Sequence, residues 1–313
     1  MPEKKIALIK AAQDSLYSRL KSCDICPRNC RIDRLKGEFG YCGGGEEARV
    51  FSAFLHKGEE PPISGQRGSG TVFFSGCNLK CVYCQNHKFS CFPVGETVSQ
   101  TQLSAIFLKL QQEGAHNINL VTPTHFLPQM LGALGIALKK GLNIPIVYNT
   151  SGYEKAEIIK KLRGIVDIYL ADLKYMDKAI SSAYSNAPEY PNFAQNSLEE
   201  MHGQLKPLTD GNMLKKGLLV RHLVIPNNIE DSKKALAWIA NNLPEAFASV
   251  MFQYQPYHQA NKFNRINRPL NKAEYLQIRD FVENLGLKGF LQSFTPATSF
   301  AGVNFAPNLK KYL

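Results

Sequence analysis

The chain has 313 residues, 44% of them apolar and 20% charged, with a formal net charge of +11. That length suits one large α/β domain with appendages, or two small domains, and it can bury a sizeable core without staples. No apolar run reaches the ~18 residues of a membrane span, and Met1-Pro2-Glu3-Lys4-Lys5 lacks an apolar signal core, so a soluble cytoplasmic protein without membrane contact is the default expectation.

Lysines and arginines are spread along the chain, in pairs such as Lys139-Lys140 and Lys215-Lys216. No RNP, zinc-finger or helix-turn-helix signature accompanies them. The charge therefore reads as a solvated basic face, and nucleic acid is not the expected partner.

A helix is predicted near residues 6–20, leading into a Cys-, Arg- and Gly-rich stretch that reads as a small metal-stapled module. From residue 70 onward, β-rich runs alternate with helical spacing. The predicted strands are 71–74, 118–121, 144–148, 165–170, 218–225 and 250–254, several of them continuously apolar, as strands covered on both faces are. Between them, Leu103, Ile106, Phe107 and Leu110 follow helical spacing. So do Leu127, Met130, Leu131 and Leu134, then Leu236, Ile239, Ala240 and Leu243, then Ile278, Phe281, Val282 and Leu285. Gly141 and Gly286 stand where helix stops belong. The stretch from Tyr184 to Pro207 carries three prolines and reads as loop plus a helix around 197–205. A short strand at Phe290-Leu291 is the one pattern in the last residues.

Six strand–helix units imply a parallel sheet and are too few for an eight-fold barrel. The expected fold is α/β, a partial (β/α)6 TIM-like barrel with an N-terminal cysteine-rich metal-binding segment. The expected divisions are 1–62 for that segment with its helix, 63–285 for the barrel and 286–313 for a C-terminal extension.

All eight cysteines fall in the first third of the chain. In a cytosolic protein, such short spacings point to metal rather than disulfides. Cys77, Cys81 and Cys84 are spaced Cys-x3-Cys-x2-Cys just after the first strand, where α/β folds carry catalytic groups. Three thiolates can hold three irons of a [4Fe–4S] cubane and leave the fourth open to a ligand. The alternative is a zinc site lacking its fourth ligand, whereas structural zinc is normally closed by four. Cys23, Cys26, Cys30 and Cys42 form a second set, fit for either zinc or an auxiliary iron–sulfur cluster. Cys91 reads as a buried or incidental thiol.

Ser75-Gly76-Cys77 and the spacing through Tyr83-Cys84 resemble the radical S-adenosylmethionine (SAM) superfamily. Further segments resemble its glycyl-radical activating branch, typified by the pyruvate formate-lyase activating enzyme, and most of all the related PflX-type proteins. They are His56-Lys57-Gly58-Glu59-Glu60-Pro61-Pro62-Ile63-Ser64-Gly65, Asn119-Leu120-Val121-Thr122-Pro123-Thr124-His125, Tyr148-Asn149-Thr150-Ser151-Gly152-Tyr153 and Arg221-His222-Leu223-Val224-Ile225-Pro226. The resemblance implies a [4Fe–4S] cluster whose open iron takes SAM, and reductive cleavage to a hydrogen-abstracting 5′-deoxyadenosyl radical. It implies SAM contacts from Tyr83, Thr150, Asp172, Lys174, Arg221 and His258. It further implies a glycyl-radical enzyme as protein substrate, and a reductant such as flavodoxin or ferredoxin. The segment after strand two departs from the family pattern: Thr122-Pro123-Thr124-His125 has no carboxylate, so Thr122, Thr124 or backbone carbonyls must take the SAM amino group. His125 is either a site residue or a satisfied structural histidine. Two rival readings remain: the same chemistry on a small molecule, peptide or RNA, and a non-catalytic metal-binding scaffold.

Overall fold

The computed structural model describes residues 2–294 and 304–312. In chain order its elements are α1 (Pro2–Tyr17), β1 (Ala48–His56), α2 (Pro61–Ser64), β2 (Ser69–Phe74), α3 (His87–Ser90), β3 (Glu96–Val98), α4 (Gln100–Gln112), β4 (Ile118–Val121), α5 (Leu127–Lys139) and β5 (Ile146–Thr150). They continue with α6 (Ala156–Lys160), β6 (Ile168–Asp172), α7 (Lys178–Ser185), α8 (Tyr190–Gln204), β7 (Leu208–Asp210), β8 (Met213–Leu223), α9 (Ile229–Asn242), β9 (Phe247–Met251), α10 (Lys272–Leu285) and β10 (Gly289–Leu291).

The strands form one sheet in the order β3-β1-β2-β4-β5-β6-β8-β9-β10, with β7 hydrogen-bonded to β8 as a hairpin. From β2 to β10 every pairing is parallel. The fold is therefore the expected α/β arrangement, an open curved sheet flanked by helices. All six predicted strands are present, and the run at Phe290-Leu291 adds a seventh parallel one. Three more, β1, β3 and β7, pair antiparallel and were not read from the sequence.

Strand alternation divides the side chains into two sets. Tyr148, Tyr169 and Val220 join the main core against the helices. Val147, Ile168, Leu170 and Leu219 face the other way and pack on Ile63 of α2 and on Leu214. The short helix α2 thus plugs the barrel at the N-terminal ends of its strands. The Asn117 side chain fixes it there, donating to the Ile63 carbonyl at 2.7 Å.

Helix α1 packs on α5, burying Ile9, Ala12 and Leu16. That is why α5 is apolar almost all round: the sheet takes one face and α1 another. The N-terminal stretch is continuous with this core, because β1 pairs along β2 from Val50 to His56.

The stretch around Tyr184 to Pro207 carries the expected helix, which begins earlier than 197: the stretch holds the end of α7 and all of α8. Pro191 lies in the first turn of α8, where a missing N–H costs nothing, so the proline starts the helix rather than breaking it. Residues 295–303 of the expected C-terminal extension lie outside the described residues. Beyond them, Phe305 packs against Phe54 and Phe73.

Candidate functional site

Strand β2 delivers the cysteine loop at its C-terminal end. Gly76 takes φ +88, and a Cβ there would collide with the Cys42 carbonyl oxygen, so only glycine fits. The sulfurs receive hydrogen bonds: Leu79 N–H donates to Cys77 Sγ (3.3 Å) and Ser185 Oγ to Cys81 Sγ (3.0 Å). The Cys84 thiol lies 3.3 Å from Ser90 Oγ. Burial, then the neighbouring Cys81, pushes the Cys77 thiol up to about 11 and the Cys84 thiol up to about 12. Without a cation these thiols stay protonated at neutral pH; a bound iron centre would supply the charge that makes them thiolates. Donors to sulfur and a loop pinned at both ends fit a cluster here.

Tyr83 is buried within the loop. Its hydroxyl meets that of Tyr175 at 2.6 Å and its ring lies edge-on to Tyr254. His258 takes φ +54 and stacks on His87 with ring centroids 4.9 Å apart. Its Nε2 is 3.8 Å from Cys91 Sγ. Cys91 is thus half-buried beside the loop.

Asn149, Asp172 and Arg221 share the inner face of the barrel with Val147, Ile168, Leu170 and Leu219. Asp172 and Arg221 are register partners on β6 and β8. Arg221 Nε donates to Asp172 Oδ1 at 2.7 Å, and Lys174 Nζ meets the other oxygen at 2.5 Å. Arg221 also donates to Asn149 Oδ1 (2.7 Å) and lies 3.5 Å from Glu59. Burial alone would raise the Asp172 carboxyl; Arg221 and then Lys174 outweigh it and hold it below the usual range. Lys174 is lowered by burial but raised more by Asp172 and by the nearby Cys81, and ends above its ordinary value.

The turn between β1 and α2 carries Glu59 and Glu60 into the barrel, and neither had a role in the sequence reading. Burial pushes Glu60 up to about 7, against the pull of Arg221. Among the described residues, its Oε2 and both amide atoms of Asn119 are buried with no hydrogen bond of normal geometry.

Thr150 and Thr124 point the opposite way. Both hydroxyls donate to Glu154 Oε1 at 2.5 Å, and Tyr148 OH joins them at 3.1 Å. The cause is parity: Thr150 lies on the same strand face as Tyr148, toward the helices. Burial raises Glu154 to about 7 despite these three donors. Thr122 ends β4 with φ +54, an unusual conformation for a β-branched residue, and donates its N–H to Asn149 O. His125 is buried, with Nε2 2.8 Å from the Ser75 carbonyl. Burial, reinforced by Arg34, lowers it to about 4, so it stays neutral as a link to the cysteine loop.

The four remaining ligand candidates, Cys23, Cys26, Cys30 and Cys42, line one cavity together with Arg28, Arg34 and His125. A surface groove between the starts of α9 and α10 lies elsewhere and touches none of these groups.

Residues 71–218 match the family model of the radical SAM superfamily. The chain is 31% identical over 276 residues to "Uncharacterized protein MJ0674" of Methanocaldococcus jannaschii, covering 85% of this chain and 76% of that protein. It is 26% identical over 230 residues to "Uncharacterized protein MJ0808" of the same organism, covering 67% and 63%. Among solved structures, that of methylornithine synthase (PylB) aligns over 96% of this chain and 84% of its own, at 14% identity and a TM-score of 0.47.

Proposed function

Because the chain belongs to the radical SAM superfamily, we propose that Cys77, Cys81 and Cys84 hold its [4Fe–4S] cluster and that Asp172, Lys174 and Arg221 hold SAM beside it. When bound and reduced, the cluster would supply one electron to the SAM sulfonium, breaking its C5′–S bond to leave methionine and a 5′-deoxyadenosyl radical able to take a hydrogen atom from a substrate. The observation that carries the reading is the placement of the cysteine loop and the Asp172–Lys174–Arg221 group at the same, C-terminal ends of parallel strands. Lys174 and Arg221 are both braced on Asp172, so each is already oriented for a ligand carboxylate. Thr124 and Thr150 support the strand ends through Glu154, and Tyr83 packs the loop from within. His258 stacks on His87 beside it.

Anaerobically reconstituted protein with dithionite should release 5′-deoxyadenosine from SAM, and Cys77→Ala should not. Absence of turnover with a fully loaded cluster would refute the reading.

The finer target, a glycine C–H of a glycyl-radical enzyme with flavodoxin or ferredoxin as reductant, rests on sequence resemblance. A second reading is favoured by the buried Glu60 Oε2 and Asn119 amide inside the barrel, neither with a hydrogen bond of normal geometry among the described residues: a small polar substrate that enters the barrel itself. The two differ in a direct measurement. A protein substrate protects the barrel mouth from hydrogen exchange and tolerates Glu60→Gln. A small substrate leaves exchange at the outer rim unchanged and loses turnover in that variant.

A further inference from the structure

Cys23, Cys26, Cys30 and Cys42 share their cavity with Arg28, Arg34 and His125. Four neutral thiols would need no counter-charge, yet two guanidinium groups line the same space. Arg34 is 1% exposed. Its nitrogens reach the carbonyls of Gly45 and His125, and Nη1 lies 3.9 Å from Cys23 Sγ. Arg28 donates to the carbonyls of Asn78, Leu79, Ser185 and Asn186 and rests on the Tyr41 ring. Among the described residues, neither arginine forms an ion pair with a carboxylate. An arginine is rarely buried without an anion. Four thiolates around a 2+ centre carry a net charge of −2, which two arginines balance.

The sulfurs also have the donors that such a centre uses. Tyr41 N–H points at Cys30 Sγ (3.5 Å) and Gly44 N–H at Cys42 Sγ (3.4 Å). A Cβ on Gly40 would sit 2.9 Å from Cys30 Sγ, so the backbone is stripped down where it meets the sulfur. Among the described residues, no three His, Cys, Asp or Glu side chains converge tightly enough to grip a bare ion, which is equally true of Cys77, Cys81 and Cys84. That spread of sulfurs suits the corners of a cluster, and a single zinc ion would have to draw the four together.

We propose that this cavity holds a second thiolate-bound metal centre of charge 2+, a zinc ion or a [4Fe–4S] cluster, and that it fastens the loop bearing Cys77, Cys81 and Cys84. The fastening runs through Arg28 and Tyr41, which donate to carbonyls within that loop. It also runs through Arg34, which holds the His125 carbonyl while His125 holds Ser75. Cys42 itself abuts Gly76. The inference does not depend on SAM cleavage, since its test is metal content.

The test is anaerobic iron, sulfide and zinc analysis of a Cys77→Ala/Cys81→Ala/Cys84→Ala triple variant after reconstitution. It should retain one metal centre per chain, read as zinc or as iron with equal sulfide. Adding Cys26→Ser and Cys42→Ser should remove it. A metal-free triple variant overturns the proposal, and so does metal that survives the added substitutions. If circular dichroism finds the triple variant unfolded, the wild type decides: iron beyond a single cluster, or zinc beside iron, supports the second centre, and a single cluster without zinc refutes it. The fastening role is read in Tyr41→Phe, which loses only the hydroxyl that donates to the Leu79 carbonyl and should keep the second metal but exchange backbone hydrogen faster over residues 76–84. Unchanged exchange overturns that role.

Discussion

Arg221 and Asp172 face each other in register on adjacent strands, joined at 2.7 Å inside the barrel. Neither partner is tolerable there alone, because a lone buried charge costs far more than its pair recovers. Asp172→Asn leaves both Arg221 and Lys174 without their shared anion. It should lower unfolding stability by about 3–5 kcal/mol in urea titration and weaken SAM binding. The pH dependence follows the same pair: Asp172 lies below its ordinary value when folded. Its contribution is complete above the ordinary carboxylate range and is lost as the pH falls through the lower, folded-state value. Wild-type stability should drop there more steeply than that of the variant.

Glu154 behaves in the opposite sense. Its folded value is raised to about 7 by burial, so the folded state holds its proton more tightly than the unfolded chain. Its contribution to stability is therefore complete below about pH 4.5 and is lost as the pH rises through 7. Glu154→Gln should flatten this fall by an amount on the order of 2 kcal/mol between pH 5 and 8, measured as chemical denaturation midpoints across that range.

Gly76→Ala places a methyl group against the Cys42 carbonyl in a backbone conformation that alanine disfavours. A loss of about 1–3 kcal/mol is expected, with reduced iron loading of the cysteine loop. Iron content per chain, compared with that of Gly37→Ala, checks it: Gly37 also has φ +81, but a Cβ there meets nothing.

Tyr83→Phe removes only the hydroxyl that meets Tyr175. The cost should be about 1 kcal/mol, with 5′-deoxyadenosine release retained. Loss of release at unchanged stability would assign the hydroxyl a direct part in the chemistry.

The cysteine loop was legible because its chemistry is local: three thiols within eight residues carry their meaning without a fold. Asp172 and Arg221 were legible through the resemblance to the activating enzymes, and Arg221 also because a charge inside an apolar strand calls for a partner. Glu59 and Glu60 were not. They reach the barrel from a turn that follows an antiparallel strand, a contact set by tertiary closure that no periodicity encodes. Thr150 was placed at its strand end, but its hydroxyl direction depends on strand parity, which became fixed only when the strand proved to span Ile146–Thr150. The prolines of residues 184–207 suggested a loop because position within a helix decides whether proline breaks it.

The plug formed by α2 bears on the order of events. With Ile63 filling the barrel at the N-terminal ends of its strands, a ligand that meets Glu60 and Asn119 lies deeper than one held by Asp172, Lys174 and Arg221. Initial-rate kinetics should then show an ordered pattern in which the deeper ligand binds first, and a random pattern would point to a second way in through the open side of the sheet.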